Sequence, residues 1–183
     1  MRNTSDDLSG DYDPITIRLH WATAALIVVL WIMGRTTGWM PRGPLRVDVW
    51  SVHVLLGFAL AVVLVARIAW RTTRGRRLPP VEHGVLHLVA KAVHGLLYVL
   101  LATVVVLGLI NVFAHGFPMF NVLKFPKVGD KAFTKTVNHW HDLAANTIAA
   151  VALFHAIAAL FHHYVRKNVV LIRMAPLFKR RFA

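Results

Sequence analysis

The chain contains eleven histidines, no cysteine and only eight acidic residues, so its chemistry is to be sought in imidazole. Several of these histidines fall inside long apolar stretches. An ionisable side chain at membrane depth is costly and is usually functional. Neutral imidazole is also a common axial ligand of haem iron. His141 and His155 are fourteen residues apart. At about 100° per residue a helix returns both to nearly one face, about 21 Å apart along the axis. That face offers two imidazoles at two depths. His20 and His53 open two other apolar stretches at the matching depths. The pairs His20/His155 and His53/His141 therefore make two bis-histidine sites inside one bundle, the arrangement that two stacked b haems require.

The neighbours of these histidines fit a flat, carboxylate-bearing cofactor. A small residue stands one turn after each proposed ligand: Ala24, Gly57, Ala145 and Ala159. Ordinary small-residue helix packing is the plain alternative. Arg67 follows His53 by fourteen residues and can pair with haem propionates at the inner level, or else it snorkels from a helix end. His162 lies one heptad past His155, and His94 opens another stretch at the same level. Either can hydrogen-bond a quinone head group, or else sits as an interfacial histidine. His163 is expected to point away and be solvated. His83 and His87, with Lys91 one turn on, read as a basic interfacial stripe rather than a metal pair. His115 and His139 are expected at loop edges, with no assigned role. Without cysteine there are no disulfides, thiolate metal sites, iron–sulfur clusters or covalent haem attachments. No phosphate-binding glycine loop, paired intramembrane acids or nucleophile elbow appears.

Four apolar stretches position these residues. The chain has 183 residues, 57% apolar and only 16% charged, against about 25% charged in a soluble domain. The stretches lie near residues 17–36, 49–69, 92–113 and 143–165. Each holds the roughly 20 residues that cross a hydrocarbon core, and backbone in lipid must satisfy its own hydrogen bonds as helix. The predicted fold is an all-α, four-transmembrane-helix up-down bundle, one dihaem domain over residues 1–183. The leader is acidic (Asp6, Asp7, Asp11, Asp13), unlike a cleavable signal. RGRRLPP (Arg74–Pro80) reads as a turn in which Pro79 and Pro80 stop the second helix. Residues 114–136 read as an outer loop.

The net charge of +13 is divided unevenly by this topology. Fourteen basic residues lie on the side of the termini and central loop: Arg2, Arg18, Arg67, Arg71, Arg74, Arg76, Arg77, Lys91, Arg166, Lys167, Arg173, Lys179, Arg180 and Arg181. The other seven are Arg35, Arg42, Arg46, Lys124, Lys127, Lys131 and Lys135. The positive-inside rule then puts both termini in the cytoplasm. Trp39, Trp50 and Trp140 mark the outer boundary and Trp21 and Trp70 the inner. Nucleic-acid binding is the other reading of so basic a chain, but the basic residues follow membrane loops.

The segments RLHW (Arg18–Trp21), HVLLG (His53–Gly57), HGLLY (His94–Tyr98), WHDLAAN (Trp140–Asn146), FHAIAALFHHY (Phe154–Tyr164) and LIRMAP (Leu171–Pro176) resemble bacterial cytochrome b561 over nearly the whole chain. The resemblance implies four helices in the bacterial inner membrane and two b haems, with axial ligands at His20, His53, His141 and His155. Within the family the chain most resembles the superoxide oxidases. Those take an electron from superoxide at the periplasmic haem and pass it to ubiquinone near the cytoplasmic haem, and His162 matches their quinone-contacting histidine. Related cytochromes serve as membrane subunits of dehydrogenases or hydrogenases.

Three functions follow as expectations. A superoxide:ubiquinone oxidoreductase would use the basic outer face, with Lys124, Lys127, Lys131 and Lys135, to draw in a small anion. An electron-transfer subunit would use the same lysines to dock an acidic redox partner protein. A small transporter or assembly protein would have no redox role, and the fourteen-residue spacing would then be accidental.

Overall fold

The structure, a computed structural model, describes residues 10–176. Arg2, Asp6, Asp7, Lys179, Arg180 and Arg181 lie outside the described residues. Four helices form an up-down bundle: α1 (Pro14–Thr36), α2 (Pro44–Thr73), α3 (Gly84–His115) and α4 (Lys131–Tyr164). All four are long and apolar enough to cross a membrane. Valines such as Val62, Val65 and Val99 are exposed on their outer faces, as a lipid-facing surface requires. α1 packs closely on α2 and α3 on α4, while α1 meets α4 more loosely. α1 and α3, like α2 and α4, face each other without close backbone approach.

The helices run beyond the expected stretches because polar caps, not apolar content, set their ends. α3 starts at Gly84 and α4 at Lys131, eight and twelve residues before the apolar runs. Asp130 caps α4 by accepting from the Phe133 N–H at 2.8 Å. Gly116 ends α3 in the left-handed region, at φ 60°. A Cβ there would lie 2.8 Å from that of Lys127, so glycine is required. The outer loop is thus shorter than residues 114–136. His115 closes α3 at the edge of the loop, as expected, whereas His139 lies within α4. α2 stops at Thr73, where the Arg74 and Gly75 N–H groups both donate to the Trp70 carbonyl at 2.9 and 2.7 Å. Pro79 and Pro80 come too late to stop it.

The α3–α4 connection carries a small hairpin, β1 (Pro118–Met119) antiparallel to β2 (Leu123–Lys124). Its turn residues Phe120 and Asn121 have φ of 49° and 57°, the backbone of a tight hairpin turn. The Phe120 N–H donates to the hydroxyl of buried Ser51 at 2.8 Å, which folds the hairpin onto the start of α2.

The opposite end is tied by Asp13. Its carboxylate caps α1 by accepting from the Thr16 N–H at 2.9 Å and from the Thr16 hydroxyl. It also accepts from the Trp70 indole at 2.9 Å and the Arg76 N–H at 3.1 Å. Trp70 is thus bound into the fold rather than standing only at an interface. Residues 165–176 fold back under the bundle. Arg173 donates to the Pro79 carbonyl at 2.7 Å and its own carbonyl accepts from the Tyr12 N–H. The Trp21 indole donates to the Met174 carbonyl at 2.9 Å.

Burial raises the Asp13 carboxyl, but the hydrogen bonds from Thr16, Arg76 and Trp70 outweigh it and hold the group well below its ordinary 3.8. A lowered native value means the contribution is full above 3.8 and is lost as pH falls below it. Replacing Asp13 with Ala is expected to cost about 1–2 kcal/mol, a fall of about 3–6 °C in melting temperature. Thermal unfolding in detergent from pH 7 to 3 checks this: the gap between wild type and D13A is constant down to about pH 4 and only begins to narrow at the acid end, because the native carboxyl is still largely ionised there.

Candidate functional site

The four histidines singled out by spacing meet in two pairs. The rings of His20 on α1 and His155 on α4 have centroids 6.5 Å apart. Those of His53 on α2 and His141 on α4 are also 6.5 Å apart. A metal–imidazole bond is about 2.0–2.1 Å. With about 1.1 Å from ring nitrogen to ring centre, two imidazoles on opposite sides of one ion have centroids about 6 Å apart. Both pairs have that separation. Neither ring of a pair is hydrogen-bonded to the other among the described residues, so direct attraction does not explain their approach.

Between the two levels lies the apolar core. Leu30, Leu60, Leu64, Leu101 and Ile148 are all buried there, with Ile148 midway along α4 between His141 and His155. These five side chains form an apolar plug, and Tyr98 packs against it.

The two sites differ. At the hairpin end the Nδ1 atoms of His53 and His141 are buried and make no hydrogen bond of ordinary geometry. Trp50 stands edge-on to His53 at 5.3 Å, packed inward rather than serving only as a boundary marker. Two glycines that the sequence reading passed over shape this level. A Cβ on Gly108 would lie 3.0 Å from His141 Cε1, and one on Gly34 would lie 3.8 Å from His53 Cε1. Glycines in lone mid-helix positions of apolar spans were the available signal. Gly57, by contrast, has open space around it.

At the termini end the pair is crowded by polar groups. Arg67 donates to His20 Nδ1 at 3.1 Å, and its guanidinium lies 5.1 Å above the Tyr98 ring. It has turned into the bundle rather than snorkelled. The His94 ring is 5.2 Å from that of His155, closer than two ligands on opposite sides of one ion would be. His94 Nδ1–H donates to the Ala90 carbonyl at 2.7 Å, so Nε2 is its available nitrogen. One polar bond crosses the loose α1–α4 seam between the levels, from the Trp31 indole to the Asn146 side chain at 3.1 Å.

Among the described residues His162 makes no ring contact or hydrogen bond with His20 or His155. It faces Glu82 and Asn168, two residues the sequence reading missed because they come from the α2–α3 connection and the fold-back segment. His163, expected to be solvated, is 1% exposed and packs edge-on to Tyr164 at 4.8 Å. The fold-back of residues 165–176 covers it. His83 is the N-cap of α3, and His87 and Lys91 are exposed.

The basic residues of the hairpin end also keep their expected place. Arg35, Arg42, Lys124, Lys127, Lys131 and Lys135 are exposed. Arg35 pairs with Asp142 at 3.5 Å, while Asp130 is engaged as the α4 cap. The four lysines have no acidic partner within salt-bridge distance among the described residues.

Comparison with known proteins agrees with this architecture. Residues 11–176 match the family described as prokaryotic cytochrome b561. Cytochrome b562 of Cereibacter sphaeroides is 34% identical over 171 residues, covering 89% of this chain and 94% of that protein. Cytochrome b561 homolog 1 of Escherichia coli is 30% identical, covering 87% and 94%. Probable superoxide oxidase CybB of Yersinia pestis is 26% identical, covering 90% and 96%. The chain belongs to the prokaryotic cytochrome b561 family, membrane electron-transfer proteins of b-type haem.

Proposed function

We propose that this protein is a dihaem superoxide:ubiquinone oxidoreductase of the bacterial inner membrane, with both termini cytoplasmic. The observation that carries the dihaem reading is the two histidine pairs set by one face of α4, each with its rings 6.5 Å apart, a separation that a metal ion between them would fit. His20 and His155 would hold one haem, His53 and His141 the other. Bound haem supplies one-electron transfer. Its iron needs the lone pair of one ring nitrogen, so the other carries the proton. If iron takes Nε2 of His20, Nδ1 becomes a donor and Arg67 must find another acceptor. A haem propionate would be that acceptor.

The overall reaction balances as two superoxide anions, one quinone and two protons giving two dioxygen molecules and one quinol. The lysines at the hairpin end raise the local concentration of a small anion, an effect that salt screens. The apolar plug keeps protons from following the electrons, so the protons for quinone enter at the termini end. His162 and His94 are the quinone-side histidines. A second reading is favoured by the hairpin itself. Val122 at its tip is 88% exposed next to Lys124, a surface that an acidic redox partner protein can dock on. The chain would then be the electron-transfer subunit of a dehydrogenase.

Stopped-flow absorbance of the oxidised protein mixed with superoxide decides between them. Rapid haem reduction, with reoxidation only when ubiquinone is added, is the expected outcome. Haem that dithionite reduces but superoxide does not would favour the partner-fed conduit. Changing Lys124, Lys127, Lys131 and Lys135 together to Gln is expected to slow reduction about tenfold at low ionic strength and to flatten its salt dependence.

His53→Ala and His141→Ala are each expected to halve haem content and remove one spectral component, and His20→Ala the other. Gly108→Val should disturb the His53/His141 component alone. Loss of the same component in His53→Ala and His20→Ala would overturn the pairing.

A further inference from the structure

The His162 side chain is held by groups from two separate segments, the α2–α3 connection and the fold-back after α4, and neither is explained by a merely interfacial histidine. Glu82 Oε1 lies 3.4 Å from His162 Nδ1. Asn168 Nδ2 lies 2.8 Å from the same nitrogen and donates to Glu82 Oε1 at 3.0 Å. The orientation of the Asn168 amide is set by its oxygen, which accepts from the Val170 N–H at 3.3 Å. The Asn168 N–H in turn donates to the His162 carbonyl at 3.0 Å. Arg166 reaches Glu82 Oε1 at 3.4 Å and balances its charge. His163 beside it is buried, and Lys167 is exposed.

This geometry assigns the proton on the ring. An amide nitrogen only donates, so facing Asn168 the Nδ1 atom accepts, and the neutral ring carries its proton on Nε2. When the ring takes a second proton at Nδ1, the Glu82 carboxylate is there to receive it. Two partners thus serve two protonation states, and Nε2 carries a proton in both. That nitrogen has no hydrogen-bond partner among the described residues. The His162 side chain is 20% exposed and that of Glu82 19%, so the pair is shielded from water without being sealed from it.

We propose that Glu82 and Asn168 are positioning residues that keep His162 loaded as the proton donor to a quinone carbonyl oxygen. The inference rests on the quinone-reducing reading above. Each quinone takes two electrons and two protons. The imidazolium gives a proton from Nε2 to the quinone oxygen, the proton left on Nδ1 faces the Glu82 carboxylate, and water at the exposed edge returns a proton to Nε2, once for each electron. Glu82 stabilises the imidazolium by charge and Asn168 sets the tautomer of the neutral ring, neither touching the quinone.

The test uses the haem-loaded protein, reduced with dithionite, freed of excess reductant and mixed anaerobically with ubiquinone-1. Reoxidation of the haem is followed from pH 6 to 8. Glu82→Gln is expected to lower the limiting rate about tenfold at pH 8 and less at pH 6. The quinone concentration at half-saturation should stay within about twofold. Glu82→Asp should restore part of the rate, while superoxide-driven haem reduction without quinone is unchanged. An unaltered rate in Glu82→Gln across this range, with wild-type reoxidation normal, overturns the assignment alone. Wild-type haem that ubiquinone does not reoxidise at any pH overturns the quinone reading and the assignment with it. If Glu82→Gln loses its haem spectrum, Asn168→Ala decides by the same rate criterion.

Discussion

Everything else in this molecule depends on the register of one helix. α4 supplies a histidine to each pair, and the two sites exist only because fourteen residues of helix bring both imidazoles round to one face. A single inserted residue between His141 and His155 would rotate one of them by about 100°, away from its partner on α1 or α2. The caps therefore matter for chemistry as well as for stability. Asp130 fixes where α4 begins, and its uninterrupted run to Tyr164 holds both histidines in phase. α2 and α4 make no close backbone approach, so the His53–His141 pair spans the bundle rather than decorating a helix contact. That leaves width for a cofactor where ordinary packing would have closed it.

The apolar plug turns two sites into a conduit of one kind. Leu30, Leu60, Leu64, Leu101 and Ile148 offer no polar group to carry an ion or a proton. An electron needs no such group. On the proposed reading, a mostly apolar stretch between the levels suits electron transfer and would have protons enter at one end. The polar groups are gathered where that division needs them: Glu82, His162, Arg166 and Asn168 at the termini end, and the lysines at the other.

The histidine pairs were legible because helical periodicity is a property of sequence spacing alone. The four spans were legible because lipid imposes both length and composition. What escaped depended on contacts between segments distant in sequence. Helix ends followed from Asp130, Gly116 and Gly75, whose capping has no hydrophobic signature, so α4 begins twelve residues before its apolar run. His163 read as solvated because nothing local reveals that residues 165–176 fold back over it. Glu82 sits eighty residues before His162 and Asn168 six after it, and only the folded chain brings both to one ring nitrogen. Gly108 resembles any small residue of a membrane helix until His141 is seen against it.

The asymmetry of the two ends bears on direction. A cation beside a redox site favours the electron residing there. Arg67 touches His20 and lies over Tyr98, whereas Arg35 at the other end is paired with Asp142 and brings no net charge. On the proposed reading a haem propionate would take up the Arg67 charge as Asp142 takes up that of Arg35, so the difference between the two ends lies in the groups beyond the pairs. At the hairpin end four lysines have no acidic partner among the described residues and would draw in a small anion. At the termini end His162 faces Glu82 and Asn168, and a proton would be supplied there. On that reading electron entry and proton supply stand at opposite ends of one axis, set by side chains that do not have to ligate iron.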